Sequence, residues 1–275
     1  MGKLFKGLAL GVALLGLASC GMSSSSEATS IRVGMECAYV PYNWEEGNAS
    51  KDNAPIENHS GFYADGYDVQ IAKKLGEGMG KEVVFVKISW DGLMAALNQG
   101  QIDLIVSGML DSPEHKQAAD FSDTYAVSKT EYTILVKADG KYAAASKLSD
   151  FSGASILGQK GTRLDTVIDQ IPGVDHVSPV DTIPAMLDRL LKGTVDGIVI
   201  NAETVAVYVG QYPELKGVAF AEGSGFVLDF SGICVGIRKG EAALKESVNS
   251  ALAGISGAER ESLFDGAAKR AEAFQ

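Results

Sequence analysis

VVFVKISWDGLMAALNQGQIDLIV, residues 83–106, is the stretch whose reading decides the fold. Val83–Val86 is a short apolar run rich in β-branched residues, which predicts a buried strand. Trp90–Asn98 then places Leu93, Ala96 and Leu97 at helical spacing, and Gly100 supplies the stop. Ile102–Val106 is a second apolar strand. Strand, helix and strand in one short stretch is the repeating unit of an α/β sheet. Upstream, Ile31–Met35 reads as a strand, 45–62 as a polar loop, and Asp68–Gly78 as a helix with Val69, Ile71, Ala72 and Leu75 on one face. Downstream, Ser112–Ala119 reads as a short helix. The alternation then resumes with strands at Tyr132–Val136, Ala154–Leu157, Val177–Pro179, Val195–Ile200 and Ile233–Ile237. Helices are expected at Thr162–Ile171, Ile183–Leu191, Ala202–Val209, Glu241–Ala253 and Ala258–Ala273. The expectation is α/β with mostly parallel sheets. Two separate runs of strand–helix units predict two sheets, hence two lobes with a ligand cleft between them. The polar, β-prone stretch Tyr125–Tyr132 suits a crossing between lobes.

The amino terminus sets the compartment. Lys3 and Lys6 precede the apolar run Leu8–Ala18, which is shorter than the ~20 residues of a spanning helix. Leu17-Ala18-Ser19-Cys20 and the serines after it complete a secretory signal that resembles a bacterial lipobox. Residues 1–19 are expected to be removed as a lipoprotein signal peptide. Cys20 would then carry the lipid (palmitate among its chains), with 20–30 a Ser-rich tether. The alternative is an ordinary signal with a chance cysteine. The expected location is outside the cytoplasm, lipid-anchored to a bacterial membrane at the periplasm or cell surface. Loss of Lys3 and Lys6 takes the formal charge from −11 to −13, which argues against nucleic acid and against charge-driven membrane binding. The lipid on Cys20 is then the expected attachment.

With 46% hydrophobic and 21% charged residues the chain reads as globular. Cys37 and Cys234 remain, either paired or as two separate buried thiols; the second is expected, because one follows the first strand and the other lies inside a late one. His59, His115 and His176 are scattered without metal-ligand spacing, so neither metal nor cofactor is expected. GxSxG, GxxxxGK[ST], HExxH and a helix-opening GxGxxG are missing, so the expectation is not an enzyme.

Several ordered motifs then carry a family resemblance. They are Gly66-Tyr67-Asp68-Val69, Trp90-Asp91-Gly92-Leu93, Ser107-Gly108-Met109, Ala119-Asp120-Phe121-Ser122-Asp123-Thr124-Tyr125 and Val235-Gly236-Ile237-Arg238-Lys239-Gly240. From about Ile31 to Phe264 the chain resembles the bacterial extracellular solute-binding proteins of family 3, which serve ABC importers of polar amino acids. The resemblance implies the periplasmic-binding-protein type II fold, two α/β lobes joined by two hinge strands. Lobe 1 would be 31–126 plus 231–275, and lobe 2 would be 131–229. It also implies a monomer that closes on a small polar ligand and hands it to the permease subunits of an ABC transporter.

Site residues follow from the same resemblance. Glu36 falls where an acid meets the ligand side chain, the alternative being a solvated loop acid. Tyr39 falls where an aromatic stacks on the ligand, and Trp90 on the opposite wall, unless it packs a helix start. Tyr42 and Trp44 read as packing or lid residues. Ser107, Gly108 and Met109 would offer backbone groups at a strand's carboxyl end. Gly161, Thr162 and Arg163 open a helix whose amino terminus suits a carboxylate, a role compatible with Thr162 as a plain N-cap. His115 stands where the family has an arginine for the α-carboxylate, and a histidine lacks that fork. Asn201 stands where the family has an aspartate for the α-ammonium, and an amide brings no charge. Glu203 lies two residues on and is the alternative. A threonine common after Gly-Met is here Leu110.

With both anchors altered, three ligand readings stay open. One is an amino acid held by a shifted anchor such as Arg163. Another is a modified amine, amide or small peptide-like solute. The third is a sensor without an import role. Two other classes compete: a cyclic-acid dehydratase on the same scaffold, with His115 or Glu36 as acid or base, and a structural or adhesive protein with no ligand in the cleft.

Overall fold

The computed structural model describes residues 29–125, 131–229 and 232–274. The signal segment, Cys20 with most of its tether, and most of the expected crossing at Tyr125–Tyr132 lie outside the described residues.

The deciding stretch keeps its order of elements, with the strand expected at Ile102–Val106 narrowed to Leu104–Ile105. Glu82–Lys87 is a strand, Trp90–Asn98 a helix and Leu104–Ile105 a strand. The helix buries Leu93, Ala96 and Leu97. Ser30–Met35 lies between the two strands and parallel to both, from Ser30 against Glu82 to Met35 against Lys87 and with Val33 against Leu104. The sheet then continues antiparallel through Cys234–Arg238 and Ala119–Thr124. The second sheet has parallel pairs among Asp175–His176, Ser155–Leu157 and Gly197–Asn201, followed by antiparallel Tyr132–Lys137 and Leu215–Gly217. Among the described residues these are two five-stranded sheets, with a separate four-stranded one.

Both large sheets are therefore mixed, which corrects the expectation of mostly parallel pairing. The reason is chain direction. A strand that follows a crossover helix runs parallel to its predecessor. Tyr132–Lys137 and Cys234–Arg238 each follow a strand of the other sheet in chain order rather than a crossover helix of their own, and both run antiparallel to their neighbours.

Residues 45–62 correct a second expectation. Ala38–Tyr39, Asn43–Glu46, Ala54–Pro55 and Tyr63–Asp65 make the four-stranded sheet rather than a plain loop. Strands this short carry no legible alternation. They are held by long-range contacts: Trp44, 1% exposed, meets Phe274 at 6.1 Å, and Arg270 forks onto the buried Asp65 carboxylate. Gly66 joins this sheet to the helix Tyr67–Met79 at φ 128°, where a Cβ would sit 2.2 Å from the Tyr42 carbonyl oxygen. No other residue fits there.

Further boundaries move, and the helix expected at Ala202–Val209 is a 3₁₀ turn, Ala202–Thr204, followed by Val205–Gln211. The helix expected at Thr162–Ile171 is a short α-turn, Arg163–Thr166, continued by a 3₁₀ turn, Val167–Gln170. The helix at Ser112–Ala119 shrinks to His115–Ala118, since Pro113 is placed to start a turn rather than donate within one. The strand expected at Val177–Pro179 pairs instead at Asp175–His176, because Pro179 has no N–H for a ladder. The strand expected at Val195–Ile200 runs Gly197–Asn201, which puts Asn201 at its carboxyl end. Cys37 and Cys234 are buried and free.

Candidate ligand-binding site

The two large sheets turn strand carboxyl ends toward a shared cavity, the expected place for a ligand in such sheets. Glu36 follows the first strand, Ser107 follows Leu104–Ile105, Gln159 follows Ser155–Leu157 and Asn201 ends Gly197–Asn201. Of the residues expected from sequence, Glu36, Tyr39, Trp90, Ser107, Gly108 and His115 line it from one side. Thr162, Arg163 and Asn201 line it from the other. Met109 and Gly161 do not. The Met109 side chain is buried against Leu93, Ile105 and Phe121, and its carbonyl accepts the Cys234 N–H. The Gly161 carbonyl instead accepts the Trp90 indole N–H at 3.0 Å. Leu110, Tyr132, Gln159 and Leu164 also line the cavity. Tertiary placement identifies Tyr132, Gln159 and Leu164 as lining residues, and Leu110 stands where the resemblance implies a threonine.

Glu36 is the most consequential of these groups. It is 6% exposed, and its backbone N–H donates to the Ser107 hydroxyl at 3.0 Å. The Gln159 amide reaches across the cavity and donates to both carboxylate oxygens, at 3.0 and 3.2 Å. Burial pushes this carboxyl up to about 7, against the pull of the Gln159 bond; Asp91 adds to the rise and Lys87 opposes it. The solvated-acid alternative is thus excluded by burial.

Two of the family motifs, through Asp68 and Tyr125, support the floor. The Tyr125 hydroxyl donates to Asp68 at 2.8 Å and accepts the Gly108 N–H at 3.3 Å. Asn43 donates to the same Asp68 and accepts from the Cys37 N–H, both at 2.7 Å. The Tyr67 hydroxyl donates to the Tyr125 carbonyl. Gly108 itself sits at φ 61°, with the position of a Cβ 3.0 Å from the Tyr39 ring, so glycine lets that ring lie on the backbone. The Tyr39 hydroxyl is buried without a hydrogen-bond partner. Tyr39 stacks on Tyr42 at 4.9 Å.

The opposite wall is partly committed. Thr162 is an N-cap: its hydroxyl accepts from the Leu164 N–H and donates to the Gln159 carbonyl. Arg163 pairs with Asp229 at 2.7 Å and with Thr166, while its Nε is buried without a partner. His115 faces Trp90 at 6.2 Å between ring centres. Its Nδ1 lies 2.8 Å from the Leu110 carbonyl, which only accepts, so Nδ1 carries the hydrogen and Nε2 is left for other partners. Asn201 donates from Nδ2 to Glu203. Glu203 does not line the cavity; burial raises its carboxyl, and the Tyr42 hydroxyl donates to it at 2.7 Å from the other sheet's side.

A larger cavity of 450 Å³ lies between Trp44, Lys87, Ile183, Leu187 and Tyr212. It lacks the convergent strand-end groups that define a polar ligand site, so the site stays with Glu36 and Asn201. Among the described residues no group of His, Cys, Asp and Glu is placed to hold a metal ion.

Two α/β sheets with a polar cavity at facing strand ends form an architecture that encloses a small polar ligand. The family model of the bacterial extracellular solute-binding proteins, family 3, matches residues 31–262, and the chain belongs to that family. It is similar to a probable histidine-binding protein of Neisseria gonorrhoeae, 26% identical over 253 residues, covering 89% of this chain and 87% of that protein. It is similar to the L-cystine-binding protein TcyJ of Escherichia coli K12, 26% identical over 255 residues, covering 92% and 88%. Its fold matches that of an ancestral arginine-binding protein bound to arginine, with a TM-score of 0.71, 25% identity, and coverage of 86% and 97%. The architecture is that of the two-lobed type II periplasmic binding proteins.

Proposed function

We propose that this chain is the lipid-anchored capture component of an ABC importer, taking an α-amino acid with a cationic side chain. The observation that carries the reading is Glu36, a carboxylate buried at the cavity floor with only a neutral amide across from it. A cationic side chain supplies the charge that burial otherwise denies it. The ligand carboxylate would meet His115 and the unpartnered Nε of Arg163, and the ammonium Asn201. The names of the relatives agree in part: histidine and arginine bring such side chains, and cystine does not.

Capture proceeds by hinge closure of lobe 1, 31–126 plus 231–275, on lobe 2, 131–229, with permease subunits as partners. The cavity encloses 30 Å³, so an amino acid enters only when its walls part, which supports an opening motion. No catalytic step is needed. The test is a thermal-shift screen of L-arginine, L-histidine, L-lysine, L-glutamine and L-cystine. The first three are expected to raise the melting temperature in proportion to RT ln(1 + [L]/Kd). No shift with any of them would overturn the reading, and a shift with L-cystine alone would replace its ligand class.

The anchor has its own test. Cys20→Ala is expected to move the protein from the membrane to the soluble fraction with ligand binding unchanged. Among the described residues no helix is long and apolar enough to cross a membrane. A Cys20→Ala protein that still sediments with membranes would refute lipid attachment at that residue.

A further inference from the structure

Asn201 is a cavity residue whose chemistry argues against its position, because an amide offers no charge to an ammonium. Its surroundings change that. Asn201 is 5% exposed, and its Nδ2 donates to Glu203 Oε1 at 3.3 Å. That same oxygen accepts the Tyr42 hydroxyl at 2.7 Å, a bond from one lobe to the other. A carboxylate accepts and does not donate, so it takes the NH₂ end of the amide and leaves Oδ1 as the end for the cavity. Glu203 contributes no surface to the cavity itself.

We propose that Glu203 is a positioning residue for the ligand's α-ammonium: it locks the Asn201 amide with Oδ1 toward the cavity and backs it with a negative charge. The hydrogen-bond chain runs ammonium N–H to Asn201 Oδ1, then Asn201 Nδ2–H to Glu203. Each link polarises the next, so a neutral side chain becomes an oriented acceptor. Tyr42 fixes Glu203 from the opposite lobe, which ties the orientation of the acceptor to the closed arrangement. Tyr39, stacked on Tyr42 with its buried hydroxyl unpartnered, adds a second acceptor in the same cavity. The inference rests on the reading of the cavity as an α-amino acid site.

The test compares L-arginine with 5-guanidinopentanoic acid, which is arginine without its ammonium, by calorimetry. Glu203→Ala is expected to cut the preference for L-arginine by about tenfold or more, as loss of a charge-assisted bond implies. Its affinity for 5-guanidinopentanoic acid should change little. Glu203→Gln keeps an acceptor oxygen for Asn201 without the charge, and should restore the part of the preference that comes from orienting the amide. Equal weakening of both compounds in Glu203→Ala, or failure of Gln to restore discrimination, would overturn the proposal. A ligand-free readout separates this from the amino-acid reading. The Asn201 side-chain amide protons should exchange with solvent faster in Glu203→Ala than in Glu203→Gln. If the unmodified protein binds neither compound, arginine falls as the ligand, and the lock is judged on amide exchange alone. Equal exchange in the two variants refutes the lock itself.

Discussion

Glu36→Gln is expected to bind L-arginine roughly 100-fold more weakly than the unmodified protein, the loss typical of removing one partner of a buried charge pair. Without ligand at pH 8, the same variant is expected to melt several degrees higher. The two effects share one cause. Burial raises the Glu36 carboxyl from 4.5 to about 7, so the folded protein holds a proton there that the unfolded chain has released. Between those values the native state binds more protons, and stability therefore falls as pH rises through this window. The loss above it amounts to about 3 kcal/mol. Glutamine keeps the shape and carries no charge, so that loss disappears. A cationic ligand reverses the balance, because its charge holds Glu36 ionised and drives a proton off. Affinity for L-arginine is then expected to rise with pH and level off above about 7. Calorimetry near pH 6 in two buffers of different ionisation enthalpy would register the released proton. A Glu36→Gln protein that melts lower at pH 8, or binding that ignores pH, would remove Glu36 from the cation site.

His115→Arg is expected to tighten binding of an ordinary α-amino acid by about 1–2 kcal/mol, the scale of a charge-assisted hydrogen bond. In the structure His115 spends Nδ1–H on the Leu110 carbonyl. That leaves one ring nitrogen, Nε2, for a ligand carboxylate, where a guanidinium presents two parallel donors. His115 lies beside Trp90, whose indole bonds to Gly161 from the other lobe, so the introduced guanidinium has an aromatic face to rest on. Titration of L-arginine and L-glutamine into the variant measures the gain. Weaker binding of both would mean that the pocket is built around a ligand without a free α-carboxylate.

Much of the fold was legible in the residues because helices of ordinary length announce themselves. Trp90–Asn98 and Ile183–Leu191 fall where their apolar spacing puts them, since each buries one face and ends at a residue that favours stopping. The short strands of residues 38–65 were not legible. Two to four residues give no measurable alternation, and their pairing depends on Trp44, Asp65 and Arg270, which are distant in sequence. Sheet direction was misread for a related reason. Periodicity marks a strand without saying which way its neighbour runs.

The site divides along the same line. Glu36, Tyr39, Trp90, Ser107, Gly108, His115, Thr162, Arg163 and Asn201 came from motifs, and the fold gathers them around one cavity. Met109 was expected to offer backbone groups; its side chain lies in the core and its carbonyl is taken by the Cys234 N–H, a pairing that only folding reveals. By itself the sequence determined the α/β class, the kinship to a solute-binding family and the residue types available for a ligand, because spacing and local chemistry are written into the chain. The tertiary structure alone decided what those residues can do. It buried Glu36 against Gln159, committed the Thr162 hydroxyl to its own turn, and set Glu203 behind Asn201. Charge, hydrogen-bond direction and burial belong to neighbours that only folding supplies.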